Sequence, residues 1–203
     1  MPIVRPGGTA GYGTLVLLIM RRMRRIVASL FLSCVAGASG AESQADLVTL
    51  LKSGGQTVLM RHTLTPPGVG DPPGMTLDDC ATQRNLTDQG RADARAIGER
   101  VRQAGISFDH VETSPLCRCK DTAKLAFGRI NEVQPATTRG DREVRELRAF
   151  AAEKHRGNAV LVSHGTTIRN AIGVDTEPGE MVVITPQGDG RYEVRGKLSF
   201  LPR

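Results

Sequence analysis

Two histidines and two arginines stand where apolar runs end: Arg61-His62 after "TVLM", Arg118 in "TSPLCRCKDTA", and His164 closing "NAVLVSHG". Arginine offers a planar fork that meets two phosphoryl oxygens and stays charged at any working pH. A neutral imidazole has a nitrogen lone pair able to attack phosphorus. At about 4 Å and an effective dielectric near 20, each arginine contributes roughly 4 kcal/mol of gross attraction per unit of phosphate charge. Taken singly these residues say little, since a lone strand-end histidine is more often a capped end than a nucleophile, and a lone arginine is usually a surface charge. No carboxylate triad, metal-ligand spacing or glycine-rich phosphate loop competes with them, so any chemistry must come from side chains and no cofactor is expected.

Elements with a definite order must bring these residues together. Ala45–Lys52 reads as a short helix and Thr57–Met60 as a β-branched, uniformly apolar strand, which places it at the centre of a sheet. Residues 64–80, rich in glycine and proline, form an ordered loop beside that strand's end. Thr87 caps a helix in which Ala94, Ile97 and Val101 share one face until Gly105 stops it. Val111 begins a second strand, Pro115 opens a helix to about Phe127, and Val144–Lys154 is a third amphipathic helix. "NAVLVSHG" is another buried strand, and Glu180–Thr185 and Tyr192–Ser199 finish as strands. The alternation predicts an α/β fold, a three-layer α/β/α sandwich with a mostly parallel central sheet, whose ligands gather at the carboxyl ends of the strands.

With the motifs so placed, the sequence resembles the histidine phosphatase superfamily, of phosphoglycerate mutase-like fold. The resemblance runs over residues 55–186 and rests on Arg61-His62, on "SPLCRCKDTA" with Ser114, Pro115, Arg118, Thr122 and Ala123 in register, and on His164. It implies a phosphohistidine intermediate on His62, a phosphoryl group clamped by Arg61 and Arg118, and transition-state stabilisation by His164 without a metal. Thr63 stands where glycine or alanine is common after Arg-His and is expected to border the substrate. The short, polar segment "GRINEVQPATTRGDREVREL" replaces longer substrate-covering insertions, which favours a phosphatase over a mutase, because a mutase must shield its intermediate from water. The expected partner is a small phosphorylated substrate, such as a sugar phosphate of the cell envelope. A non-catalytic anion-binding protein on the same fold is the competing reading. A cysteine-dependent phosphatase is disfavoured, since Cys117 and Cys119 flank Arg118 directly and no Cys-x5-Arg cradle exists.

The leaving oxygen needs an acid. Glu180, expected near the same sheet edge, is the first choice, with Asp78 and Asp79 as alternatives. Cys80 is expected to bond one of Cys117 and Cys119, closing a loop of just under forty residues and bracing the arginine.

The chain is read as an N-terminal extension and secretory signal peptide over residues 1–41, followed by a single domain over 42–203. Arg21, Arg22, Arg24 and Arg25 precede the apolar run "IVASLFLSCVAGA", which ends in small residues suited to cleavage and predicts an exported, periplasmic protein; with the resemblance above, this implies the small exported bacterial phosphatase branch of that superfamily. "FLSC" at Cys34 only weakly resembles a lipid-attachment box. The segment carries five arginines and no acid, so the remainder holds 22 basic and 21 acidic residues, a net of +1 instead of the +6 of the whole chain. The whole chain has two tyrosines, five phenylalanines and no tryptophan, and Tyr12 and Phe31 fall within residues 1–41, so the remainder lacks the charge and stacking surfaces of a nucleic-acid binder. No stable membrane insertion of the mature protein is expected.

Overall fold

Val58 and Met60 of the first strand bury against one set of helices, while Leu59 between them buries against another. This is the two-residue alternation of a strand covered on both faces. The computed structural model describes residues 1–3, 42–133 and 140–202. The expected leader, with Arg21–Arg25 and Cys34, lies outside the described residues. The elements are α1 (Gln44–Ser53), β1 (Thr57–Arg61), α2 (Asp88–Gln103), β2 (His110–Thr113), α3 (Cys117–Phe127), β3 (Glu132–Val133), α4 (Asp141–Ala152), β4 (Ala159–Ser163), α5 (Gly165–Ile172), β5 (Met181–Gly188) and β6 (Arg191–Leu198). No described helix is long and apolar enough to cross a membrane.

The six strands lie in the order β3-β2-β4-β1-β5-β6. β3, β2, β4 and β1 are mutually parallel, and β5 and β6 close the sheet as an antiparallel hairpin. One apolar layer joins Leu47 and Leu51 of α1, Ile97 and Val101 of α2 and Ala123 of α3 to the sheet. The other joins Leu147 and Phe150 of α4 and Ile168 of α5 to its opposite face. The expected three-layer sandwich with a mostly parallel sheet is therefore what forms.

Local signals act as the residue types dictate. Thr87 caps α2 by accepting from the Gly90 amide at 3.0 Å, and Ala94, Ile97 and Val101 form its buried stripe. α3 begins at Cys117, two residues beyond Pro115, because Ser114 still belongs to the ladder: its amide donates to the Val162 carbonyl at 2.9 Å. α4 begins at Asp141, ahead of the apolar periodicity that starts at Val144, with acidic Asp141 and Glu143 in its first turn, where the helix dipole favours them.

Candidate active site

Parallel pairing sets the first contact. Arg61 is in register with Ser163, so the next residues, His62 and His164, emerge side by side past the carboxyl edge. The His62 amide continues the ladder to the Ser163 carbonyl at 3.0 Å. Their ring centroids lie 5.5 Å apart at an interplanar angle of 66°. β2 adds Ser114, whose hydroxyl is 3.0 Å from His164 Nε2. Arg61, His62, Arg118 and His164 all line one cleft of about 1300 Å³ at this edge.

His62 is 4 % exposed. Its Nδ1 lies 2.8 Å from the Thr63 carbonyl, a contact that requires a proton on Nδ1 and leaves Nε2 with the lone pair. Its pKa is lowered to about 4, chiefly by burial; the Thr63 carbonyl works in the opposite direction, and Arg118, Arg61 and Arg84 push it down further. The imidazole is therefore neutral across the ordinary working range.

Arg61 donates from Nη1 to the Thr176 carbonyl at 2.6 Å. Gly165, opening α5, lets this side chain pass: a β-carbon there would stand 3.1 Å from Arg61 Cδ and 3.3 Å from its Nη1. Arg118, in the first turn of α3, is held by Asp71 in a two-pronged pair, Nη1 to Oδ1 at 2.8 Å and Nη2 to Oδ2 at 3.3 Å. Both side chains are buried, at 4 and 7 % exposure. The Nε atoms of Arg61 and Arg118 are buried without a hydrogen-bond partner. Leaving such donors unsatisfied is costly, and an anionic oxygen is the partner that suits them.

The loop between β1 and α2 is pinned over α3. Cys80 and Cys117 form a disulfide, which resolves the expected pairing, and Cys119 is the buried free thiol among the described residues. Gln83 accepts from the Cys117 amide at 2.8 Å and donates to the Thr76 carbonyl at 2.9 Å. Arg84 donates from Nη1 to the Val69 carbonyl at 2.8 Å, and its amide donates to Asp71 Oδ1 at 3.1 Å. Cys119 Sγ is 3.8 Å from both ring nitrogens of His164. Burial pushes its thiol up to about 12, so it is a protonated neighbour of His164 and not a thiolate nucleophile.

Four expected positions fall elsewhere. Glu180 is 2 % exposed, but its carboxylate faces away from the cleft, accepting from the Glu177 amide at 3.0 Å and from Lys197 Nζ at 3.1 Å. Its carbonyl accepts from the Arg61 amide at 3.1 Å, so the residue supports the end of β1 through its backbone. Thr63 is fully buried and turns inward: its amide and hydroxyl both lie 3.2 Å from Thr122 Oγ1. It ties β1 to α3 and does not line the cleft. Asp78 and Asp79 are exposed and lie outside the cleft lining; Asp79 caps the 3-10 turn Cys80–Thr82 by accepting from the Ala81 amide.

The cleft also contains residues that the sequence reading did not select, Asp71 and Arg84 from the loop and Glu143 from α4. For Asp71 the available signal is its position in a glycine- and proline-rich loop next to a strand end; Arg84 and Glu143 carry none. The described His, Asp and Glu side chains close enough to share an ion are His110, Glu112 and Glu132, within 4.8 Å of one another. None of the three lines the cleft.

An open α/β sheet thus carries two adjacent histidines and two arginines at its carboxyl edge, an arrangement whose charge suits an anionic ligand. A profile of the histidine phosphatase superfamily (branch 1) matches residues 58–149, the stretch that carries Arg61, His62 and Arg118. The chain is 33 % identical over 82 residues to the mitochondrial serine/threonine-protein phosphatase Pgam5 of Drosophila virilis, a match covering 39 % of this chain and 25 % of the relative. It thus spans about a quarter of that protein's length. Among solved structures it resembles the protein histidine phosphatase SixA complexed with tungstate, with a TM-score of 0.55 at 18 % identity, covering 71 % of this chain and 97 % of SixA. A phosphoserine phosphatase of Entamoeba histolytica in complex with phosphoserine gives a TM-score of 0.53 at 15 % identity, over 71 and 97 % of the two chains. At these identities the structures share the fold.

Proposed function

We propose that this protein is a metal-independent phosphomonoester hydrolase working through a phosphohistidine on His62. The observation that carries the reading is the buried neutral His62, with Nδ1 held by the Thr63 carbonyl, beside two arginines whose buried Nε atoms lack partners. Arg61 and Arg118 bind the phosphoryl oxygens, with Arg84 alongside. His62 Nε2 attacks phosphorus as the bond to the leaving oxygen breaks. His164, oriented by Ser114, stabilises the charge that develops on the phosphoryl group.

The leaving oxygen takes its proton from Glu143. Among the carboxylates lining the cleft, Asp71 is committed to Arg118, Asp141 and Asp175 are exposed, and Glu143 is half-buried. In the second step water attacks phosphorus, the P–N bond returns its electrons to His62, and Glu143 takes the water's proton. The substrate we favour is a small phosphorylated metabolite such as an envelope sugar phosphate, met in the periplasm after removal of residues 1–41. The support for export is the arginine-led apolar run in the leader.

A phosphomonoester panel on wild type, His62→Ala and Glu143→Gln tests the reading. His62→Ala should lower turnover by at least about 10³-fold, as losses of nucleophiles do, and chelator should leave the wild-type rate unchanged. Glu143→Gln should slow alkyl phosphates far more than p-nitrophenyl phosphate, whose leaving group needs little protonation. Phosphate binding without turnover would instead favour a non-catalytic anion-binding protein, and chelator sensitivity would overturn the mechanism.

A further inference from the structure

The Arg118–Asp71 pair poses a problem for a phosphoryl clamp. Asp71 already occupies both Nη atoms of Arg118, and its Oδ1 is also fixed by the Arg84 amide. The carboxylate thus sits between two of the cleft's arginines on a loop that the Cys80–Cys117 disulfide and Gln83 tie to the start of α3. A residue needed only to orient Arg118 could have been a backbone carbonyl, as Thr176 is for Arg61. A buried carboxylate adds a full negative charge at the point where the substrate brings its own.

We propose that Asp71 is an internal counter-anion of the phosphoryl clamp: it competes with phosphate for Arg118, matching the clamp's charge to a dianionic monoester and hastening release of the phosphate product. This rests on the phosphatase reading above. Counting every charged side chain that lines the cleft, six arginines face four carboxylates, Asp71 among them, which leaves two positive charges, the charge that balances a monoester dianion near neutral pH. A clamp of three uncompensated arginines would hold inorganic phosphate, the product, more tightly than turnover allows. The substrate meets Arg118 at the Nη that Asp71 gives up. When the product departs, the carboxylate, kept in reach by the Arg84 amide, retakes both. Asp71 is a tuning residue in this scheme and transfers no proton.

The test is calorimetric titration of inorganic phosphate into the full chain, wild type against Asp71→Asn, with steady-state kinetics on the same preparations. Asn keeps the shape and removes the charge. Phosphate should bind the variant at least about tenfold more tightly, a change of 1.4 kcal/mol, with KM and the product-inhibition constant falling together and kcat falling through slower release. If Asp71 merely aims Arg118, phosphate binds the variant equally or more weakly and KM rises; this result overturns the proposal while leaving the phosphatase reading intact. Asp71→Ala, read the same way, serves where the asparagine variant misfolds. Wild type that neither binds phosphate nor hydrolyses monoesters overturns both readings.

Discussion

The protonation of His62 offers a quantitative handle on the site. The chain has four histidines, at positions 62, 110, 155 and 164, so four imidazole resonances report on it, and single His→Asn variants assign them. The His62 ring should titrate at about 4, against an ordinary value of 6.5. At pH 5.5 about 97 % of His62 is then neutral, against about 9 % for an unperturbed ring, a difference of roughly tenfold in available nucleophile. The same shift has a stability consequence whose sign is fixed. Between about pH 6.5 and 4 the unfolded chain binds a proton at His62 that the folded chain does not, so folding stability falls as pH falls through that window. A displacement of about 2.5 units is worth on the order of 3 kcal/mol. Denaturant unfolding at pH 7 and pH 4 should show this loss in wild type, and His62→Asn should remove that part of the pH dependence. A His62 resonance titrating near 6.5, or a wild-type slope unchanged in the variant, would refute the argument that burial keeps the nucleophile neutral.

Replacing Cys80 and Cys117 by serine should destabilise the domain by about 4 kcal/mol in the loop-entropy model and raise KM, because the disulfide holds the loop bearing Asp71 against the helix bearing Arg118. Alkylation of unfolded, unreduced protein should label Cys119 and spare Cys80 and Cys117, and labelling of either of these would refute the bridge. Glu180→Gln should lower the unfolding midpoint by weakening the Lys197 contact, yet leave kcat on p-nitrophenyl phosphate within about twofold, since the carboxylate points away from the cleft. A loss of kcat as large as that of Glu143→Gln would return the proton donor to Glu180.

What could be read from the sequence depended on how each residue reaches the cleft. Arg61, His62 and His164 follow uniformly apolar strands, and parallel strands end together, so their meeting at the sheet edge follows from hydrophobic pattern and chain direction. Arg118 arrives in the first turn of α3, five residues after the strand that ends at Thr113, again at a short offset. Glu180 shares the same edge in position, but its side-chain direction depends on the antiparallel hairpin, which sets Lys197 of β6 beside it. Strand-end location says nothing of that pairing. Thr63, next to His62 in sequence, turns into the core because Thr122 of α3 receives it, a contact between segments 59 residues apart.

Asp71 and Arg84 were hidden for a further reason: their loop has no period to read. Its path is set by one disulfide, the Gln83 amide and the Arg84 contacts, each joining residues whose partnership no local rule predicts. The sequence pattern therefore displays the groups proposed to attack and hold phosphorus, which stand at the ends of regular elements, and conceals the carboxylates beside them. Whether Arg118 is a fully charged clamp or one already half-answered by Asp71 changes the affinity expected for every phosphorylated ligand, and that difference resides in the loop.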